Sequence, residues 1–198
     1  MNRLAVRHDF ETIGNWVAEG AKVLDLGCGD GSLLAYLARN RSAKGYGVEI
    51  DDANILQCIR NSVNVIQSDL ESGLSGFESG SFDYVILSQT LQAMKNTESI
   101  IKEMLRVGRE GIVTFPNFGY WQNRLQILKG HMPVSSNLPY EWYDSPNIRL
   151  CTTKDFENFC SNQGVAILER IVMNNGRVVS FFPNLFGTLA VFRFTRGG

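Results

Sequence analysis

Histidine occurs only twice in the 198 residues, as His8 and His131, and no Cys-x-x-Cys pair is present. The two imidazoles are far apart and have no ligand spacing around them, so no metal centre is expected. The four cysteines, Cys28, Cys58, Cys151 and Cys160, are widely spaced in a chain of ordinary size. They read as reduced thiols of a cytoplasmic protein rather than a disulfide framework. Charge of one sign is also lacking: the formal net charge is −1, with neither a basic run nor an acidic tail. That excludes the electrostatic footprint of a nucleic-acid binder or of a protein held on an anionic membrane. No stretch approaches the roughly 18 apolar residues needed to cross a bilayer, and the N-terminal MNRLAVRHDFETIGNWV carries charges throughout, so neither export nor anchoring is expected. A G-x-S-x-G elbow is missing, so no nucleophilic serine of the α/β-hydrolase type is expected. Internal repeats and low-complexity tracts are absent as well.

What is present suits one domain spanning residues 1–198. Val6, Phe10, Ile13 and Val17 recur at helical spacing and predict a lead-in helix. Five short runs follow, KVLDLG, GYGVEI, VNVIQS, FDYVILS and EGIVTFP, each rich in Val, Ile or aromatic residues and bounded by Gly, Asp, Asn or Pro. They predict strands. SLLAYLARN, DANILQCIRN and the longer TLQAMKNTESIIKEMLRVG lie between them with apolar residues at three and four, and predict helices. Apolar strands alternating with helices imply a doubly wound parallel sheet that binds ligands beyond the strands' C-terminal ends. The rhythm breaks at about residues 117–150, which read as an insertion. Beyond it, Thr152 and Asp155 resemble a capping box that opens the helix KDFENFCSNQ, with Gly164 as its stop. VAILERIVM and GTLAVFRFT predict two closing strands, joined by the apolar loop NNGRVVSFFPNLF, for seven strands in all.

The first strand runs into VLDLGCGDG, where Gly27, Gly29 and Gly31 alternate. Alternating glycines bring backbone close to a ligand. A dinucleotide fingerprint is G-x-G-x-x-G with pyrophosphate at the helix N-terminus, whereas here Asp30 stands where the anion would lie. Two like charges about 4 Å apart repel by roughly 4 kcal/mol at an effective dielectric near 20. The loop therefore suits a ligand with a cationic centre and no phosphate, drawn by Asp25 at the strand end. Glu49 ends the second strand about 20 residues further on, the distance at which such folds place an acid for both ribose hydroxyls. Asp69 ends the third strand and is suited to accept from an adenine amino group, with the Leu70 backbone beside it. Each acid alone has a plain reading as a solvated strand-end carboxylate or a turn acceptor; together they reinforce one another.

These segments, with GVEID, SDLE and FDYVILSQTLQ, resemble the class I S-adenosylmethionine (SAM) dependent methyltransferases over about residues 21–116. The ligand of that fold has a sulfonium and an ammonium and no phosphate. More narrowly, YGVEIDDANILQCI, SFDYVILSQTLQAM, the long segment from FPNFGYWQN to TTKDFE, and PNLF resemble the methionine-biosynthesis MetW family nearly end to end. The resemblance implies a Rossmann-like, mostly parallel sheet of the class I type and a bacterial protein of methionine biosynthesis. It also implies association with homoserine O-acyltransferase, without implying a methylated product. Carried over residue by residue, it implies that SAM or S-adenosylhomocysteine is held by Asp25, Gly27, Cys28 and Gly29 of the loop. Glu49 and Ile50 would follow the second strand, Asp69 and Leu70 the third, and Ser88 the fourth.

Cys28 itself reads as a small packing residue, since no His or Lys stands nearby in sequence to activate it. In methyltransferases of this fold acceptor contacts often follow the fourth strand, here Ser88, Gln89, Thr90, Leu91 and Gln92. Neither glutamine is a convincing base, and an N-P-P-Y type of motif is absent, so no catalytic residue is assigned. The insertion concentrates Tyr120, Trp121, Tyr140, Trp142 and Tyr143, which suit a cover over the sheet, a lid or a partner surface. Two expectations of different classes stand: a SAM-binding partner or regulator of homoserine O-acyltransferase, and a small-molecule methyltransferase whose acceptor lies under the insertion. NAD binding is a distant third.

Overall fold

In the computed structural model residues 9–197 are described; Val6 of the expected lead-in helix, and His8, lie outside them. The first helix, α1, is Asp9–Trp16. It is followed by β1 (Lys22–Leu26), α2 (Ser32–Arg41), β2 (Lys44–Glu49), α3 (Asp52–Arg60), β3 (Asn64–Gln67) and β4 (Phe82–Ser88). The second half holds α4 (Thr97–Val107), β5 (Gly108–Pro116), α5 (Trp121–Leu128), α6 (Thr153–Asn162), β6 (Val165–Asn174), β7 (Arg177–Val178), α7 (Pro183–Phe186) and β8 (Leu189–Arg196). All strands join one sheet in the order β3-β2-β1-β4-β5-β8-β6-β7. The first five pair parallel, whereas β8, β6 and β7 pair antiparallel.

The two faces of the sheet follow the period-two alternation of each strand. Leu24, Leu26, Val85, Leu87, Val113 and Phe115 bury one face with Ile101 and Met104 of α4 and Phe156 of α6. Val23, Ile86 and Ile112 bury the other with Ile13 of α1 and Leu33, Leu34 and Leu37 of α2. Phe156 centres an aromatic cluster, its ring 4.8 Å from Phe192 and 5.3 Å from Phe115.

Three details differ from expectation. The apolar loop before the last strand holds an eighth strand, β7, and the short helix α7; the two residues of β7 pair with the end of β6 and are too few to show a period. The long helix after β4 is divided into a 3-10 turn at Leu91–Ala93 and α4. The break falls at Asn96, whose side chain accepts from Ser99 N at 3.1 Å and caps a new helix. Thirdly, the insertion carries a helix of its own, α5. The capping box of α6 forms as expected: Thr152 accepts from the Asp155 N–H, and the Asp155 carboxylate accepts from the Thr152 N–H.

Candidate functional site

Strands β3, β2, β1 and β4 are adjacent and parallel, so their C-terminal ends share one edge of the sheet. Neighbouring ends stand about 4.8 Å apart; Glu49 and Ser88 end β2 and β4, Asp25 pairs with Gly47 and Ile86 two residues before those ends, and Asp69 lies two residues beyond the end of β3, not at a strand end as expected. Gly27, Gly29 and Gly31 take φ of +67°, +55° and +77°, a left-handed backbone that makes the loop after β1 a tight coil, with Gly27 N and Cys28 N both donating to Val48 O. A Cβ on Gly27 would sit 2.7 Å from Thr90 Oγ1, so the loop is pressed against the segment after β4. One on Gly29 would meet nothing within 4 Å, so the loop is open there.

Glu49 is the pivot of this edge. Its Oε2 accepts from Gly29 N at 2.8 Å, and its Oε1 accepts from Ile50 N at 2.8 Å and Asp51 N at 3.0 Å. The buried carboxylate thereby ties the glycine loop to the turn that begins α3. Ile50, next in the chain, leaves 60% of its surface exposed at the same edge. Asp25 is buried within β1. Asp30 accepts from Ser32 N at 3.0 Å, so a carboxylate occupies the N-terminal end of α2. A phosphate is poorly served by that arrangement, whereas a zwitterionic or cationic ligand is not.

Asp69 and Ser88 are more local in their engagements. Asp69 caps a 3-10 turn at Leu70–Ser72, accepting from Glu71 N at 2.9 Å, and Leu70 packs onto the core. Ser88 is buried; its hydroxyl donates to Asp9 Oδ2 at 3.2 Å and lies 3.2 Å from Thr114 Oγ1. Asp9 was not singled out from the sequence. Its signal was there, because an acid four residues before Ile13 falls on the apolar stripe of the lead-in helix. Gln89 takes φ of +53° with its N–H bonded to Thr114, a strained turn of the kind found at ligand sites.

The thiol of Cys28 faces inward. A Cβ on Gly47 would lie 2.3 Å from Cys28 Sγ, so the glycine of β2 makes room for the cysteine. Cys58 Sγ is 3.7 Å away and donates to Gly29 O at 3.1 Å. Burial first, and then the charge of Asp25, pushes the Cys28 thiol far above its ordinary value, which suits packing and not nucleophilic attack. All four cysteines are free thiols. Among the described residues no cluster of His, Cys, Asp and Glu is arranged to hold a metal, and no helix is long and apolar enough to cross a membrane.

Beside this edge lies a cleft of 950 Å³, bordered by Gln89 and Gln92, by Tyr140 and Asn147 of the insertion, and by Met173. The end of the insertion is fastened over the segment after β4, with Ile148 N and Arg149 N both donating to Gln92 O at 2.9 Å.

A family model described as methionine biosynthesis protein MetW matches residues 7–194. The bifunctional methionine biosynthesis protein MetXA/MetW of Rhodopirellula baltica is 36% identical over 202 residues, which cover 95% of this chain and 32% of that protein. The chain thus spans about a third of that relative's length. Among solved structures, a SAM-dependent methyltransferase from Thermotoga maritima superposes with a TM-score of 0.68 at 16% identity, covering 96% of this chain and 88% of the other. The [4+2]-cyclase SpnF does so with a TM-score of 0.68 at 18% identity, covering 95% and 80%. At such identities the likeness establishes the class I methyltransferase fold. With a cyclase among the proteins that share it, the fold by itself assigns no methyl transfer.

Proposed function

The chain belongs to the methionine biosynthesis protein MetW family, and from that premise we propose that it serves this pathway as a SAM-binding partner of homoserine O-acyltransferase. The observation that carries the partner half is the Rhodopirellula baltica relative, whose name joins MetXA and MetW in one polypeptide. We take MetXA to be the acyltransferase unit. The ligand half rests on Glu49: its carboxylate holds the glycine loop while standing at the end of β2, where a ribose would reach it. Asp25 would attract the ammonium or sulfonium, the backbone of Gly27, Cys28 and Gly29 would lie against the ligand, and Ile50 and Leu70 would flank the adenine. Asp69 would turn from its cap to accept from the adenine amino group.

The 950 Å³ cleft favours a second reading, methyl transfer to a small molecule held beneath the insertion. Direct displacement at a sulfonium needs alignment more than a base, so the lack of an evident base at Gln89 and Gln92 does not oppose it.

Calorimetric titration with SAM, S-adenosylhomocysteine and NAD, followed by assay of the nucleoside recovered after incubation with a metabolite mixture, separates these readings. The partner reading expects micromolar affinity for SAM, none for NAD, and SAM recovered intact. S-adenosylhomocysteine in the recovered nucleoside would favour the methyltransferase, and failure to bind SAM would remove both.

A further inference from the structure

Between β7 and β8 the chain holds apolar side chains out into solvent on a firmly fixed backbone. Val178, Phe181, Phe182 and Phe186 are 61%, 72%, 62% and 39% exposed. The three rings form one patch: Phe181 meets Phe182 edge-on with centroids 4.5 Å apart and stacks on Phe186 at 6.3 Å. Phe182 takes φ of +41°, a left-handed conformation that is strained for a bulky residue. Its carbonyl accepts from Leu185 N at 2.8 Å and Phe186 N at 3.0 Å.

Side chains from elsewhere hold the turn in place. The Asn117 amide donates to Asn184 O at 3.1 Å and Gly187 O at 2.8 Å, and the Asn174 amide donates to Phe186 O at 2.9 Å. A Cβ on Gly187 would lie 2.1 Å from Val172 Cγ1, so the end of the turn is pressed onto β6. Ordered backbone and local strain are thus spent on keeping phenylalanines in water, which folding alone does not favour.

We infer that Val178, Phe181, Phe182 and Phe186 form the anchor by which this chain docks on homoserine O-acyltransferase, an inference that rests on the partner reading above. Rigid aromatic side chains lose little freedom on binding and dominate the energetics of interfaces. The joined MetXA/MetW relative indicates which protein stands beside such a surface. The root of the insertion adjoins the turn. There Gly119 lies against Asn184, and the insertion carries the Trp142 and Tyr143 pair, 75% and 71% exposed. Arg177 is the only basic residue from Asn175 to Thr188, so the patch lacks the basic cluster that draws a protein to an anionic membrane.

The test is sedimentation velocity and calorimetry of the purified chain with purified homoserine O-acyltransferase. The variant combines Phe181→Ser with Phe182→Asn, asparagine being at ease with positive φ. The native chain forms a complex, and the variant raises its Kd by roughly tenfold or more with an unchanged melting temperature, as expected when hot-spot aromatics are removed. Should the pair of substitutions unfold the chain, Phe181→Ser alone, at the more exposed ring, gives the same comparison. Equal affinity for native chain and variant overturns the docking inference and leaves the partner reading standing. No complex with the native chain removes both. A dimer of the chain alone that the variant dissolves assigns the patch to a second copy and also overturns the inference.

Discussion

Glu49→Gln lowers SAM affinity by roughly a hundredfold, equivalent to about 2.7 kcal/mol, while the chain remains folded. The carboxylate accepts three backbone N–H groups, two at Oε1 and one at Oε2. An amide of the same shape has a single acceptor oxygen, so at least one of those donors must face an NH2 group. If the oxygen stays with Ile50 and Asp51, the glycine loop loses its tie at Gly29 and moves off. A hydrogen bond to a charged group contributes about 1.5–3 kcal/mol, so losing one shifts the melting temperature by several degrees at about 2–4 °C per kcal/mol for a domain of this size. The ligand is weakened separately from the fold, because the loop is displaced and the negative acceptor for the ribose hydroxyls is gone. Calorimetry beside thermal unfolding separates the two effects. Affinity within threefold of the native value would show that the ribose does not lie on Glu49.

Asn117→Leu has the largest expected effect on stability, a loss of about 3–5 kcal/mol, in the range of broken buried hydrogen-bond networks. Asn117 is 1% exposed. Its amide nitrogen donates to Asn184 O and Gly187 O, and its amide oxygen accepts from Gly119 N at 3.1 Å and Thr153 N at 3.4 Å. One side chain thereby joins the end of β5 to the root of the insertion, the start of α6 and the turn that carries the phenylalanines. Leucine fills a similar volume but leaves four backbone groups without this partner. At about 2–4 °C per kcal/mol the melting temperature falls by roughly 10 °C. A fall under 2 °C would mean that these segments are held together by other contacts.

The sequence made the glycine loop and its neighbouring acids legible because their determinants are local. Alternating glycines after an apolar run dictate a left-handed coil, and Glu49 and Asp69 stand at the ends of runs whose period is readable. The capping box at Thr152 and Asp155 spans four residues and is visible for the same reason. What stayed hidden depends on tertiary contact. Cys28 and Cys58 meet across thirty positions, and only the pairing of β1 with β2 brings the loop and α3 together. The break before α4 escaped notice because Leu91 and Met94 carry the helical spacing of apolar residues straight through it; both are buried although one lies in the 3-10 turn. The β7 strand exists only because Arg177 and Val178 turn back onto Asn174 and Met173. Asp9 is marked in the sequence only by its place on the apolar stripe of α1, and its partner Ser88 is set against it by the fold.

The measurement that bears most directly on the central claim is the turnover of homoserine O-acyltransferase with and without one equivalent of this chain, each at zero and saturating SAM. A SAM-binding partner changes the turnover when added, and the size of that change depends on SAM. Turnover that is identical in all four conditions would contradict the account.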